Sequence, residues 1–138
     1  MIRQNICIKD LGWLVRCFYD VDSNNADEIL NLLWDMGCEI KTIERAERNL
    51  KSNKKDTGLC YSNFRNKESV FVISKTSSAA EFVNSWHHEL SHLESHISDV
   101  FHLNRLGETA SYISGDIAKK MFPKIKHLMC DCCRNKAE

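Results

Sequence analysis

Residues 78–103 read SAAEFVNSWHHELSHLESHISDVFHL, a stretch that contains five of the six histidines of the chain. Ser78 with Glu81 three residues later has capping-box spacing, which predicts a helix start. His88 and His92 fall roughly opposite the apolar sector of this helix. That sector spans about 100° of the helix circumference and contains Phe82, Val83, Trp86, Leu90, Leu93, Ile97, Val100 and Phe101. The stretch therefore predicts one long helix with a core face and a separate histidine face.

Residues 88–92 form the pattern H-E-x-x-H on this helix. Positions i and i+4 share one helix face, about 6 Å apart along the axis. His88 and His92 can therefore converge on one zinc ion at about 2.0–2.1 Å each. Glu89 projects about 100° round the helix, which places its carboxylate beside a zinc-bound water and suits a general base. Three solvated side chains are the alternative interpretation, but the helix register and the neighbouring elements favour a metal site.

A third zinc ligand must come from elsewhere. His96 shares the histidine face, but it lies about 12 Å along the axis from His88, whereas ligands of one zinc ion lie about 3–4 Å apart. Ser95 and Ser98 replace the Gly and His of the longer H-E-x-x-H-x-x-G-x-x-H signature, which excludes that class. Glu108 opens the next predicted helix and is the favoured ligand. The alternatives are His102 and Asp99.

The flanking elements predict an α+β fold. Residues 4–9 and 13–21 indicate a hairpin around Gly12, and residues 59–64 and 69–75 indicate a second. Asn25 is a candidate helix cap, Gly37 a helix end, and residues 40–50 have helical spacing. Another helix runs from Glu108 to about Phe122, where Pro123 stops it or opens a short helix over residues 124–132. We expect a small antiparallel sheet of about four strands with helices on one side.

The composition of the chain limits the classes of function that we expect for it. The 138 residues include 19 Lys+Arg against 19 Asp+Glu, which gives no net charge and argues against a mainly electrostatic nucleic-acid binder. The length suits a single domain over residues 1–138. No apolar run approaches about 18 residues, and no signal peptide is evident, so we expect a cytoplasmic protein with no membrane partner.

Seven cysteines accompany the six histidines, and free thiols are the expectation. The first four cysteines are interpreted as small core residues. Those four are Cys7, Cys17, Cys38 and Cys60. Cys130, Cys132 and Cys133 cluster near the C-terminus without the spacing of a known zinc knuckle, and the sequence does not assign them a role.

Trp86 to His92 (WHHELSH), followed by residues 107–112 (GETASY), resembles the gluzincin branch of zinc metallopeptidases. The resemblance is to small, minimal members, including compact peptidase-like proteins of bacterial and phage genomes, and it covers residues 58–122. It implies a zincin-like fold with one zinc ion held by His88, His92 and Glu108, and Glu89 as base and acid. It also implies an edge strand that pairs with an extended peptide. That strand would be Val70, Phe71, Val72, Ile73 and Ser74.

The sequence departs from larger gluzincins beyond the helix pair. Those proteins have an Asp four residues after the glutamate ligand, which orients a ligand histidine. Tyr112 holds that position here, and Asp116 lies one turn further along, so both are candidates for this orienting role. His102, Arg105 and Tyr112 are candidates for steadying the oxyanion, and the sequence does not choose among them.

The expected function is zinc-dependent hydrolysis of peptide bonds in a peptide or protein substrate, with Glu89 moving the proton. One alternative is a zincin-like metal-binding module without turnover, with a regulatory, protein-binding or nucleic-acid-binding role. Its contact would be a basic stretch in residues 45–55, which contains Arg45, Arg48, Lys51, Lys54 and Lys55. Another alternative is a metal hydrolase of non-peptide amides. Cleavage preference and oligomeric state are left open.

Overall fold

The computed structural model describes residues 1–136 and contains four strands and five α helices among them. The α+β class expected from the sequence is confirmed. In chain order the elements are β1 (Ile2–Ile8), β2 (Trp13–Val21), α1 (Ala26–Asp35), α2 (Ile40–Lys51), β3 (Gly58–Asn63), β4 (Glu68–Ser74), α3 (Ala79–Phe101), α4 (Glu108–Ile125) and α5 (Asp131–Lys136).

The four strands form one sheet in the order β1-β2-β4-β3. The outer pairs β1–β2 and β3–β4 are antiparallel hairpins, but the central pair β2–β4 is parallel. The expected all-antiparallel sheet is therefore wrong, and the sheet is mixed. The reason is that α1 and α2 return the chain to the end of β2 from which it left. There the Ser23 N–H donates to Asn53 Oδ1 at 2.7 Å. β3 then runs antiparallel to β2, and the hairpin turns β4 parallel to it.

Helices cover both faces of the sheet, so the expectation that they pack on one side is wrong. Phe71 and Ile73 enter a core with α3 and α4, whereas Val70 and Val72 enter a second core with α1 and α2. Alternate residues of a strand point to opposite faces. A continuous apolar run such as residues 70–73 is typical of a strand buried on both sides.

The ends of the helices agree with local signals in part. Ser78 Oγ accepts the Glu81 N–H at 3.1 Å and caps α3 as predicted. Asn25 makes no capping hydrogen bond to α1; instead its Oδ1 accepts the Asp22 N–H at 3.2 Å. Pro123 neither stops a helix nor opens one, so that prediction is wrong: it lies inside α4, which continues to Ile125, and α5 begins only at Asp131. None of the helices within residues 1–136 is long and apolar enough to cross a membrane.

Candidate functional site

A cavity of about 400 Å³ opens between α2, the β3–β4 hairpin and α3. Its position follows from the fold, because β3 is the edge strand on this side and α2 and α3 lie on opposite faces of the sheet. The cavity volume lies within the range of about 300–1,000 Å³ that is common for small-molecule sites. Its walls carry Arg45 and Asn49 from α2, Gly58 and Cys60 from β3, and His88, Glu89, His92 and His96 from α3.

The two pattern histidines meet at the mouth of this cavity. His88 Nε2 and His92 Nε2 lie 3.2 Å apart, and the ring centroids are 4.8 Å apart at 78°. Two nitrogen ligands at about 2.0–2.1 Å from a tetrahedral zinc ion stand about 3.3 Å from each other. The pair therefore fits two adjacent positions on one zinc ion. The i, i+4 spacing predicted this convergence, because it depends only on helix geometry.

Glu89 is the buried carboxylate of the cavity, with only 6% of the residue exposed. Its side chain lies against β3 at Gly58, where an added Cβ would stand 3.0 Å from Glu89 Oε1. Burial raises the pKa of the Glu89 carboxyl above its usual range, and the nearby His88 lowers it by a smaller amount. A desolvated carboxylate is a stronger base than an exposed one.

His96 also lines the cavity, although sequence reasoning excluded it as a zinc ligand and gave it no other role. Its Nδ1 lies 2.7 Å from Ser62 Oγ, and its ring packs edge-on against Phe64 at 5.4 Å. Burial lowers the pKa of the His96 imidazole, and the neighbouring His92 lowers it further. Its i+4 spacing from His92 placed it on the same helix face, which was the available signal.

Glu108 stands apart from the histidine pair. It is the exposed first residue of α4 and does not line the cavity. The Trp86 Nε1–H donates to Met121 Sδ at 3.3 Å, so α4 packs on the core face of α3 rather than its histidine face. Across residues 1–136, no three His, Cys, Asp or Glu side chains are grouped so as to hold a metal ion. Glu108 as third ligand stays a prediction.

The other candidates lie outside the cavity as well. Asp99 Oδ1 accepts from Arg105 Nη2 at 2.6 Å, and His102 forms the left-handed C-cap of α3 with φ 54°. Tyr112 is 69% exposed on α4, and Asp116 is exposed on the same helix. The structure therefore brings none of these four to His88 and His92.

The predicted substrate strand is wrong in its position. Residues 70–74 belong to β4, which pairs with β2 on one side and β3 on the other, so its backbone has no open edge. β3 is the edge strand instead, and its Gly58 and Cys60 line the cavity. β4 is interior because its side chains are apolar toward both layers.

The cysteines divide between core and surface. All seven thiols are free. Cys17 and Cys38 are buried and Cys60 is partly buried, but Cys7 is exposed, so its interpretation as a core residue is wrong. Burial raises the pKa of the Cys17 thiol to about 12 and that of Cys60 well above its usual value. Cys60 is therefore a neutral thiol at the cavity wall and not a nucleophilic thiolate.

Comparison of the chain with protein-family models found no match, and comparisons with curated proteins and with solved structures found no significant match.

Proposed function

We propose that this chain is a zinc-dependent hydrolase of peptide bonds that works in the cavity between α2, β3 and α3. The observation that carries the proposal is the placement of three side chains. A buried carboxylate, Glu89, directly follows His88, whose Nε2 lies 3.2 Å from that of His92 at the same cavity. A pair of imidazoles with an adjacent desolvated carboxylate is suited to metal-assisted hydrolysis.

The histidine pair would hold the metal. Zinc in such a site polarises the substrate carbonyl and lowers the pKa of water to about 7. His88 and His92 supply two nitrogen ligands at a mutual distance that suits this ion. The gluzincin resemblance assigns the third position to Glu108, which is an assignment that zinc affinity can test.

Glu89 would carry the proton. Its carboxylate takes a proton from the attacking water and passes it to the leaving amine, which leaves as a neutral group. Burial favours both steps, since the raised pKa of Glu89 strengthens it as a base and makes its protonated form accessible. The close wall at Gly58 limits the directions in which the carboxylate can turn.

An extended peptide is the substrate form that the cavity favours. Among residues 1–136, β3 borders the cavity and pairs only with β4, so an incoming strand can add to its other edge. Arg45 stands on the α2 wall and forms no ion pair within residues 1–136. Its charge favours a carboxylate-bearing side chain in the bound peptide.

The test is cleavage of an unstructured protein by the zinc-loaded chain, with Glu89→Gln as the decisive variant. Glu94→Gln is the matched control, because Glu94 lies on the same helix outside the cavity. We expect similar cleavage rates for the wild type and Glu94→Gln, and a rate lower by about 100-fold or more for Glu89→Gln. Equal cleavage by both variants would overturn the proposal.

The second candidate is a metal-binding module without turnover. What favours it is that residues 1–136 assemble two candidate zinc ligands rather than three. Within its proposed basic contact, Lys51 is the residue paired with acidic side chains, since its Nζ lies 3.4 Å from Glu47 and 3.8 Å from Asp27. Zinc bound by His88 and His92 with no cleavage of any peptide would favour this candidate.

A further inference from the structure

Four side chains form a continuous hydrogen-bonded row from the α3-side core to the cavity. Trp13 Nε1 donates to Ser69 Oγ at 2.8 Å, and Ser69 Oγ lies 2.7 Å from Ser62 Oγ. Ser62 Oγ in turn lies 2.7 Å from His96 Nδ1. Trp13 and Ser69 are fully enclosed, at 1% and 0% exposed, so the deep end of the row has no access to water. The row crosses β2, β4 and β3 and ends at α3.

The chemistry of Trp13 sets the direction of the buried part of the row. An indole N–H can only donate, so Ser69 Oγ accepts from it. The Ser69 hydroxyl proton then has Ser62 Oγ as its acceptor, and the Ser62 proton has His96 Nδ1. The opposite direction would give Ser69 two donors and leave its own buried proton without an acceptor, which is costly. Ser69 therefore donates toward the cavity, and Ser62, whose oxygen accepts from Ser69, has its own proton available for His96 Nδ1.

We propose that this row fixes His96 as a neutral imidazole with its proton on Nε2, and that this N–H binds a backbone carbonyl oxygen of the substrate. Nδ1 accepts from Ser62 and Nε2 carries hydrogen, so neither nitrogen has a free lone pair for a metal ion. His96 is thus a substrate-binding donor beside the zinc pair and not a third ligand. The assignment of the tautomer depends on the hydrogen bonds alone, whereas the proposed contact with a substrate carbonyl rests on the proposed function.

The position of His96 suits a backbone carbonyl. His96 lies beside Ser62, near the end of the edge strand on which an extended peptide would add. Its ring is held by Phe64 on one side and by His92, stacked at 6.4 Å, on another. Within residues 1–136 the only hydrogen bond of the His96 ring is the one between Nδ1 and Ser62, so an Nε2–H has no protein acceptor. A peptide carbonyl at the cavity would supply one.

Nitrogen–proton correlation spectra of the histidine rings test the tautomer without any need for activity. We expect His96 as the Nε2–H form in the wild type, and a mixture of both neutral forms in Ser62→Ala. Trp13→Phe should loosen the preference, and Ser69→Ala repeats this test if the tryptophan variant does not fold. Ser95→Ala on the same helix is the control and should leave the spectrum unchanged. An Nδ1–H form or an imidazolium in the wild type at neutral pH would overturn the proposal.

Peptide affinity tests the carbonyl contact. Dissociation constants are measured by fluorescence anisotropy on the Glu89→Gln background, with His96 intact, His96→Phe or His96→Gln. We expect Phe to weaken binding about tenfold, as for one lost hydrogen bond, and Gln to restore part of it. Equal affinity of all three would refute the contact. If the wild type cleaves no peptide while the spectra show Nε2–H, the proposed function fails and the tautomer assignment stands.

Discussion

Gly58 and Glu89 touch so closely that the first residue of β3 has no room for a side chain. A Cβ at residue 58 would lie 2.8 Å from Glu89 Cγ and 2.8 Å from the Val72 carbonyl oxygen. The position of the edge strand and the position of the buried carboxylate therefore depend on each other. Both depend on the absence of a side chain at residue 58.

Gly58→Ala should therefore lower the proposed hydrolytic activity more than the addition of a single methyl group usually does. The new methyl must push Glu89 or the β4 backbone aside, at a cost of about 1–3 kcal/mol in stability. We expect kcat/KM to fall at least about tenfold, since small displacements of a catalytic group are costly. Gly115→Ala is the control, because its Cβ would meet no atom within 4 Å apart from its chain neighbours and the backbone of its own helix. Equal activities of the two variants would show that the contact does not position Glu89.

Measurements of zinc affinity should distinguish the residues that bind zinc from those that do not. His88→Ala and His92→Ala should each weaken zinc affinity by at least about 100-fold, because each removes a direct ligand. His87→Ala should leave affinity unchanged, since His87 does not line the cavity. Glu108→Gln decides the third ligand: a comparable loss supports Glu108, and unchanged affinity removes it from the site. Elemental analysis with competitive chelator titration gives the values.

Arg45 should set a preference for acidic peptides. Arg45→Met should reduce the ratio of kcat/KM for a glutamate-containing peptide to that for its glutamine analogue by about two- to fivefold, as expected for a solvent-exposed ion pair. The ratio should approach one at high salt. Arg48→Met is the matched control on α2, since Arg48 does not line the cavity. An unchanged ratio in Arg45→Met would place the recognition elsewhere.

Both helical layers should contribute comparably to stability. Leu93 on α3 and Leu33 on α1 are each 0% exposed and lie in different cores. Leu93→Ala and Leu33→Ala should each lower the free energy of unfolding by about 2–5 kcal/mol. Leu106→Ala, at a residue 94% exposed, should change it by less than about 0.5 kcal/mol. Urea titrations followed by circular dichroism measure all three, and a small loss for Leu33→Ala would contradict the second core.

Most of the helices and strands up to α4 could be predicted because they carry local signals. Ser78 caps α3 through a contact three residues away, and Gly37 follows the end of α1 with φ 78°. Strand direction has no comparable local signal. The parallel pairing of β2 and β4 depends on where α1 and α2 return the chain. The run at residues 70–73 did carry a sign of burial on both faces, because it is apolar without alternation.

The candidate site likewise has one part that local sequence signals predicted and another part that they did not. His88 and His92 could be predicted because one helical turn brings them together. Other parts of the site depend on contacts between residues that are far apart in the sequence, so residue spacing does not predict them. These are the Gly58–Glu89 contact, the position of Arg45 and the row from Trp13 to His96. Glu108 was favoured by its position at the start of the next helix and by a resemblance, and the packing of α4 on the core face of α3 leaves that assignment to experiment.

The most direct test of the central claim is peptide hydrolysis by Glu89→Gln at full zinc occupancy. The glutamine keeps the shape of the side chain and removes its ability to take a proton, so zinc content should match the wild type while turnover falls by about 100-fold or more. A variant with the wild-type zinc content and the wild-type rate would contradict the role of Glu89 as the general base and, with it, the proposed mechanism.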